Sequence, residues 1–334
     1  MSPAVAAEFT ALGPLGFGAA PLGNLYAEVG EDDARATLAA ARQRGIRYFD
    51  TAPYYGHGLS ERRLGDVFAA WPREDFAVST KVGRLIETDA SQNTRVNDGF
   101  AVSGSRAVFD YSRDGVRRSF EASQRRLRVE RIDILLLHDI GRLTHGERHS
   151  TTLMQALDEA LPEMARLRED GLVGAIGLGV NEQAVCLEIL PRFPLDCIML
   201  AGRYTLMEQH ASQELMREAQ QRNVKILVAG PYNSGLLGDA RGPGATYNYA
   251  PADAATLARA EEIYAACADA GVDVGAAALQ FPLAHPAVAT VVAGMRSVEE
   301  VESAAARRDA AIPAELWRRL REAGILSSDA AVPT

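Results

Sequence analysis

Lysine is nearly missing from this chain: of 334 residues only Lys81 and Lys225 carry that side chain, against 33 arginines. Where arginine serves almost every need for positive charge, a retained lysine points to a compact ammonium whose surroundings matter. Cysteine is scarce too. Cys186, Cys197 and Cys267 are odd in number and form no CxxC spacing, which excludes a disulfide scaffold and leaves reduced, buried thiols of a cytoplasmic protein as the expectation. Positive charge is not in excess: the net charge is −9, so a basic footprint for nucleic acid or an anionic membrane is absent. No apolar run approaches the roughly 20 residues that cross a bilayer. The opening MSPAVAAEFTALG has neither a basic start nor a continuous apolar core, and no signal peptide is expected.

What remains is ordinary globular composition, 47% hydrophobic and 24% charged with 29 Gly and 15 Pro. The length allows two domains, but α/β barrels often use this much chain as one, and residues 1–334 are expected to form a single barrel domain. Short apolar runs alternate with segments of helical period. Strands are expected at 46–50 (IRYFD), 76–81 (FAVSTK), 132–138 (IDILLLH), 173–179 (VGAIGLG), 197–201 (CIMLA), 225–229 (KILVA) and 288–293 (VATVVA), with 15–20 (LGFGAA) as an eighth. Helices are expected between them at 32–44, 60–70, 113–127, 151–170, 182–190, 208–222 and 252–270. Repeated strand–helix–strand units imply right-handed crossovers and a parallel sheet. The first strand is followed by Gly16-Phe17-Gly18 without the third glycine of a dinucleotide fingerprint, and the polar residues fall at the ends of several different strands. Both features favour a closed (β/α)8 TIM barrel over an open doubly wound sheet. Long connections at 84–110, 141–150 and 233–250 mark binding loops at the carboxyl face of the strands.

Three successive strand ends carry Asp50, Lys81 and His138, and Tyr54 and Tyr55 follow Asp50 in FDTAPYYG. Singly, such residues are usually a turn former, a surface cation, a structural histidine and packing. Neighbouring barrel strands lie about 4.8 Å apart, so together they can share one pocket. A buried lysine needs a partner, and Asp50 supplies one. A free tyrosine ionises near 10; an ammonium beside it is expected to lower that value and make the phenol useful for exchanging a proton with an alcohol or a carbonyl. Metal ligation is not expected: His138, His145 and His149 are spaced 7 and 4 apart, the last two in what reads as a polar, solvated loop. An electron acceptor is still required, and a bound nicotinamide would complete the chemistry.

These residues resemble the aldo-keto reductase superfamily. FDTAPYYG (49–56), GLSERRLG (58–65), STKVGR (79–84), RIDILLLHDI (131–140) and AGMRSVEEVE (293–302) match in order over nearly the whole chain. The resemblance implies an eight-stranded barrel and a catalytic tetrad of Asp50, Tyr55, Lys81 and His138. Tyr55 is the proton donor or acceptor, Lys81 and Asp50 tune it, and His138 orients the carbonyl or hydroxyl. AIGLGVNE (175–182), AGRYTLME (201–208), GPYNSGLL (230–237) and AALQFPLAHP (277–286) narrow the resemblance to the aldose 1-dehydrogenase branch. That branch includes L-fucose, D-threo-aldose and L-galactose dehydrogenases.

The branch implies oxidation of the anomeric C1 hydroxyl of a free aldose such as L-fucose, D-arabinose or L-galactose to a lactone, with hydride passing to NAD or NADP. Pyridoxal 4-dehydrogenase activity, NADPH-dependent reduction of small aldehydes and a non-catalytic cofactor-sensing barrel are the alternatives. By the same resemblance the cofactor contacts are Asn181, Gly230, Tyr232, Ser234, Gly235, Leu237, Gly294, Arg296, Ser297 and Glu300. Asn181 follows Gly179-Val180, where many members have Ser-Asn, and Gly230 stands where they have a stacking tyrosine, with Tyr232 two residues later. Arg296 favours a 2′-phosphate, whereas Glu299 or Glu300 accepts from a free 2′-hydroxyl and repels the phosphate, so NAD is preferred. His57 and Arg203 are the candidate sugar contacts. No oligomeric state follows.

Overall fold

The computed structural model describes residues 3–91, 99–238, 245–248 and 250–333. All eight expected strands form: β1 Leu15–Gly18, β2 Tyr48–Asp50, β3 Ala77–Val82, β4 Ile132–His138, β5 Val173–Val180, β6 Cys197–Ala201, β7 Lys225–Ala229 and β8 Val288–Gly294. They close in the order β1-β8-β7-β6-β5-β4-β3-β2, every pair parallel, so the sheet has no free edge. Helix Glu31–Gln43 opens with Glu31, Asp32 and Asp33 at its positive end. Helix Arg113–Leu127 is capped by Ser112, whose hydroxyl accepts from the Gly115 N–H.

Three expectations are corrected. The single helix expected over 151–170 is His149–Gln155 and Leu161–Glu169 joined by a π-helical turn, Ala156–Ala160. Pro162 lacks the N–H that would continue an α ladder, and a wider turn before it removes that demand. The connection 84–110 is partly an antiparallel hairpin, Arg84–Thr88 paired with Ser105–Phe109. His145 and His149 are buried in short helices rather than solvated. The phenol of Tyr111 and the Asp139 carbonyl engage the first at 3.0 and 2.9 Å; Glu188 engages the second at 3.0 Å. The expected loop over 233–250 falls in part on residues 239–244 and 249, which lie outside the described residues. The three cysteines are buried and unpaired, as the composition implies.

Period-2 alternation sorts each strand between two cores. In β4, Leu135 and Leu137 face the helices, while Ile134 and Leu136 fill the barrel. In β3, Val78 and Val82 face outward and Ala77 inward, and in β2 Phe49 faces outward and Tyr48 inward. Below, Val5, Phe9 and Leu12 from the N-terminal helix and its exit close the barrel floor against the inward residues. The same parity turns Asp50, Lys81 and His138 into the barrel at its carboxyl end.

The segment after β2 is held by backbone contact and by buried charge. A Cβ on Gly56, whose φ is +62°, would lie 2.4 Å from the Gly23 carbonyl oxygen. Only two glycines let these loops touch, and the contact fixes the peptide that follows Tyr55. Helix Leu59–Phe68 then anchors the surroundings. Ser60 donates to the Ala19 carbonyl, Glu61 accepts from Thr80 and Arg126, and Arg63 donates to the Leu22 and Val29 carbonyls. Gly56→Ala is therefore expected to destabilise the protein by about 1–3 kcal/mol through overpacking and a strained φ. Denaturant unfolding measures it, and a midpoint equal to that of the wild type would contradict this account.

Candidate active site

The Lys81 ammonium, 2% exposed as a residue, donates to both oxygens of Asp50 (2.8 and 3.0 Å) and to the Thr51 carbonyl (2.9 Å). Ser79 donates to Asp50 Oδ1 at 2.6 Å and meets the Tyr48 hydroxyl at 2.8 Å. Every proton of the ammonium thus has an acceptor, which is the condition for tolerating a buried ion pair. Across the barrel, a Cβ on Gly179 would lie 3.2 Å from Lys81 Cε. The missing side chain there gives the lysine its path upward.

Lys81 Nζ lies 4.7 Å from the centroid of the Tyr55 ring, under its face. The His138 ring stands at 88° to Tyr55 with centroids 6.2 Å apart, and Tyr54 lies at the same distance from His138. The structure therefore brings Asp50, Tyr55, Lys81 and His138 into one cluster, with Asp50, Lys81 and His138 buried and Tyr55 half-buried above them. The electrostatics correct one expectation. Burial first, then the Asp50 and Asp139 carboxylates, push the Tyr55 phenol well above its ordinary value, and the charge of Arg84 offsets this only in part. Desolvation of the phenolate outweighs the Arg84 charge, so Tyr55 carries its proton at neutral pH. His138 is held well below the usual imidazole range by burial, then by Arg84 and Lys81. It is neutral and has one N–H to offer.

The remaining predicted residues line the rim in different ways. Asn233, Ser234 and Gly235 are three successive left-handed residues, with φ of 47°, 60° and 92°. Two of these are not glycine and cost about 1–2 kcal/mol each, the kind of strain found at ligand clamps. Asn233 Oδ1 is buried without a partner among the described residues. Gly235 and Leu237 spend their N–H groups on the Tyr232 carbonyl, and Leu237 is core. Tyr232 packs its ring 5.6 Å from the Arg307 guanidinium. At the end of β8, beyond Gly294, Ser297 caps helix Val298–Asp309 by accepting from the Glu300 N–H, and the Glu300 carboxylate accepts the Arg296 N–H at 2.7 Å. Helix N-termini of this kind suit phosphate, and with the unpartnered Asn233 oxygen they fit a dinucleotide at this rim.

Gly230 is left-handed and open on its Cβ side, nothing coming closer than Gly202 N at 3.7 Å. Arg203 donates to the Asn181 carbonyl (2.7 Å) and to Asn248 (3.0 Å), tying two loops together, and His57 bonds Ser105 of the hairpin at 2.8 Å. Among the described residues, no group of three or more His, Cys, Asp or Glu side chains could hold a metal ion, and no helix is long and apolar enough to cross a membrane. Sequence reasoning missed Arg84, which stands two residues beyond the Lys81 strand, and Asp139, which directly follows His138. Their signal was a charged residue within two positions of each matched strand end.

A family model described as the aldo/keto reductase family matches residues 14–325. The chain is 41% identical over 324 residues to pyridoxal 4-dehydrogenase of Microbacterium luteolum, covering 94% of each chain. It is 39% identical over 329 residues to D-threo-aldose 1-dehydrogenase of a Pseudomonas species, covering 97% of this chain and 98% of that one. Among solved structures, an aldo-keto reductase of Bacillus halodurans in its holo form superposes with a TM-score of 0.72 at 25% identity, covering 96% of this chain and 93% of that one.

The depressed His138 has a consequence for stability. The unfolded chain takes up the imidazole proton near pH 6.5, while the folded chain resists it, so folding is favoured fully above that pH and loses ground below it. The slope is up to about 1.4 kcal/mol per pH unit for this one group; His145 and His285, also lowered by burial, add to it. Urea unfolding from pH 7.5 down to about 5.5 reads the slope. His138→Gln is expected to flatten it, and parallel curves for the two proteins would contradict the buried, neutral imidazole.

Proposed function

The chain belongs to the aldo/keto reductase family, and from that premise we propose that it is an NAD(P)-dependent aldose 1-dehydrogenase. It oxidises the cyclic hemiacetal of a free sugar such as L-fucose, D-arabinose or L-galactose at C1 to the lactone. The observation that carries this reading is the cluster of Asp50, Lys81, Tyr55 and His138 at the carboxyl end of a barrel whose sequence aligns end to end with an aldose 1-dehydrogenase. In the reaction C1 loses a hydride and its hydroxyl loses a proton, and the O–H electron pair becomes the second bond of the lactone carbonyl. The nicotinamide ring, when bound, accepts the hydride.

The chain supplies the rest. Tyr55 first passes its own proton to water and then, as phenolate, takes the hydroxyl proton; the Lys81 ammonium under its ring stabilises that phenolate, and Asp50 and Thr51 keep the ammonium in place. Neutral His138 offers a hydrogen bond to the reacting oxygen. Ser297 and the N-terminus of its helix would receive phosphate, and Gly230, Asn181 and the strained Asn233–Ser234–Gly235 turn would hold the rest of the dinucleotide. The Glu300 carboxylate beside Arg296 disfavours a 2′-phosphate, which supports NAD. A second reading has its own support in the relative at 41% identity: pyridoxal bears a hydroxymethyl group beside its aldehyde, closes to a cyclic hemiacetal, and undergoes the same step.

The three sugars and pyridoxal, each incubated with NAD and with NADP, are expected to give reduced cofactor with at least one sugar. Production from pyridoxal alone selects the second reading, and no turnover with any of the four sinks both. In the active pair Tyr55→Phe is expected to lower kcat by about 10²–10⁴ while cofactor binding, read by fluorescence, is retained. A mutant that turns over at the wild-type rate would remove Tyr55 from the chemistry. Glu300→Gln is expected to shift the kcat/KM ratio toward NADP at least several-fold; an unchanged ratio would contradict the assigned role of this carboxylate.

A further inference from the structure

A second buried ion pair flanks the tetrad. Arg84 follows Lys81 by three residues, beyond a left-handed Gly83 with φ 101°, and Asp139 directly follows His138 with a left-handed φ of 48°. The Arg84 guanidinium donates to Asp139 Oδ2 at 2.5 Å. Its carbon lies 4.0 Å from the Tyr54 ring centroid and 4.6 Å from that of Phe109, so two aromatic faces clamp its plane. Asp139 is pinned in its unusual conformation: its N–H donates to the Gly179 carbonyl, and its own carbonyl accepts from Tyr111 (3.1 Å) and engages His145 (2.9 Å). Oδ2 of Asp139 is also 3.4 Å from His138 Nε2. The pair is therefore rigid and adjoins the reacting groups, and its charges reach both Tyr55 and His138.

The pair is not self-sufficient. Arg84 is only 9% exposed, and its Nε–H has no partner among the described residues. A buried donor left unmade costs about 1–3 kcal/mol, and a guanidinium held only to anchor a carboxylate has no reason to keep one. A hydroxyl both donates and accepts, so it matches a guanidinium N–H and a carboxylate standing side by side.

We propose that Arg84 determines specificity in this site: its Nε–H, with the Asp139 carboxylate as the adjacent acceptor, binds a hydroxyl on the carbon next to the reacting one. The site then selects 2-hydroxy aldehydes and their cyclic hemiacetals over 2-deoxy analogues. This rests on the aldose reading above and adds the group by which the sugar is recognised. Sites that hydrogen-bond a substrate hydroxyl discriminate strongly against the analogue lacking it, because the analogue leaves buried polar groups unpaired.

D-arabinose and 2-deoxy-D-ribose differ only in that hydroxyl and form the test pair, or the active sugar and its 2-deoxy counterpart if another aldose is turned over. The wild type is expected to favour the hydroxylated sugar by at least about 10-fold in kcat/KM. In Arg84→Met that ratio is expected to fall to near one, with the loss carried by the KM of the hydroxylated sugar. Arg84→Lys keeps the charge beside Asp139 but spends its ammonium on that carboxylate and lacks the planar guanidinium that holds an Nε–H beside it, and is expected to discriminate as poorly; it also serves if the methionine variant does not fold. Restoration of the preference by lysine, equal losses on both sugars, or a wild type without preference would each overturn the proposal. Those outcomes leave the aldose reading standing, whereas a wild type inactive on every sugar removes that reading and this one with it.

Discussion

The site depends on the ion pair between Lys81 and Asp50. Two charges cannot be taken from water into a barrel core unless their hydrogen-bonding capacity is met, and here it is, by each other, by Ser79 and by the Thr51 carbonyl. Breaking one partner would leave the other charge stranded. With the pair intact, a fixed ammonium stands under the face of Tyr55. The rest of the arrangement, from the glycine opposite the lysine stem to the loop contact that fixes Tyr55, serves to keep those two charges and that phenol in register.

A second layer of polar structure keeps the other side of the pocket in place. Tyr111 and His145 hold the peptide after His138 in a left-handed turn, and that turn delivers Asp139 to Arg84. The two ion pairs both adjoin the cluster of Tyr55 and His138 and have different characters. One is saturated and sealed. The other retains an unmade donor, the Arg84 Nε–H. This division suits a site in which one pair governs proton exchange and the other meets the substrate.

Much of this was legible in the sequence because strand runs of apolar residues ending in a single polar one have few other readings. The runs at 132–138, 197–201 and 225–229 match the strands to the residue, and period-2 alternation in β2, β3 and β4 turns Asp50, Lys81 and His138 inward. Two kinds of feature were not legible. The burial of His145 and His149 arises from contacts with Tyr111 and Glu188, distant in sequence, which no local pattern carries. The upward displacement of the Tyr55 phenol depends on how completely the barrel mouth excludes water, and that is a property of packing rather than of residue type. An ammonium nearby suggested acidification; desolvation and two carboxylates prevailed. Arg84 was quoted within a matched stretch, but its role emerges only when the clamp of Tyr54 and Phe109 is seen.

On this reading Tyr55 is a proton-bearing phenol whose pKa is raised by desolvation and by the Asp50 and Asp139 carboxylates. Selective labelling of tyrosine at the ring carbon bearing oxygen, with the Tyr55 signal assigned by comparison with Tyr55→Phe, follows its ionisation by NMR across the alkaline range. The account predicts that the signal remains that of the neutral phenol beyond the ordinary tyrosine value of about 10, after exposed tyrosines have titrated. A Tyr55 midpoint below that value would contradict it, and would mean that the lysine, not burial, sets the state of the phenol.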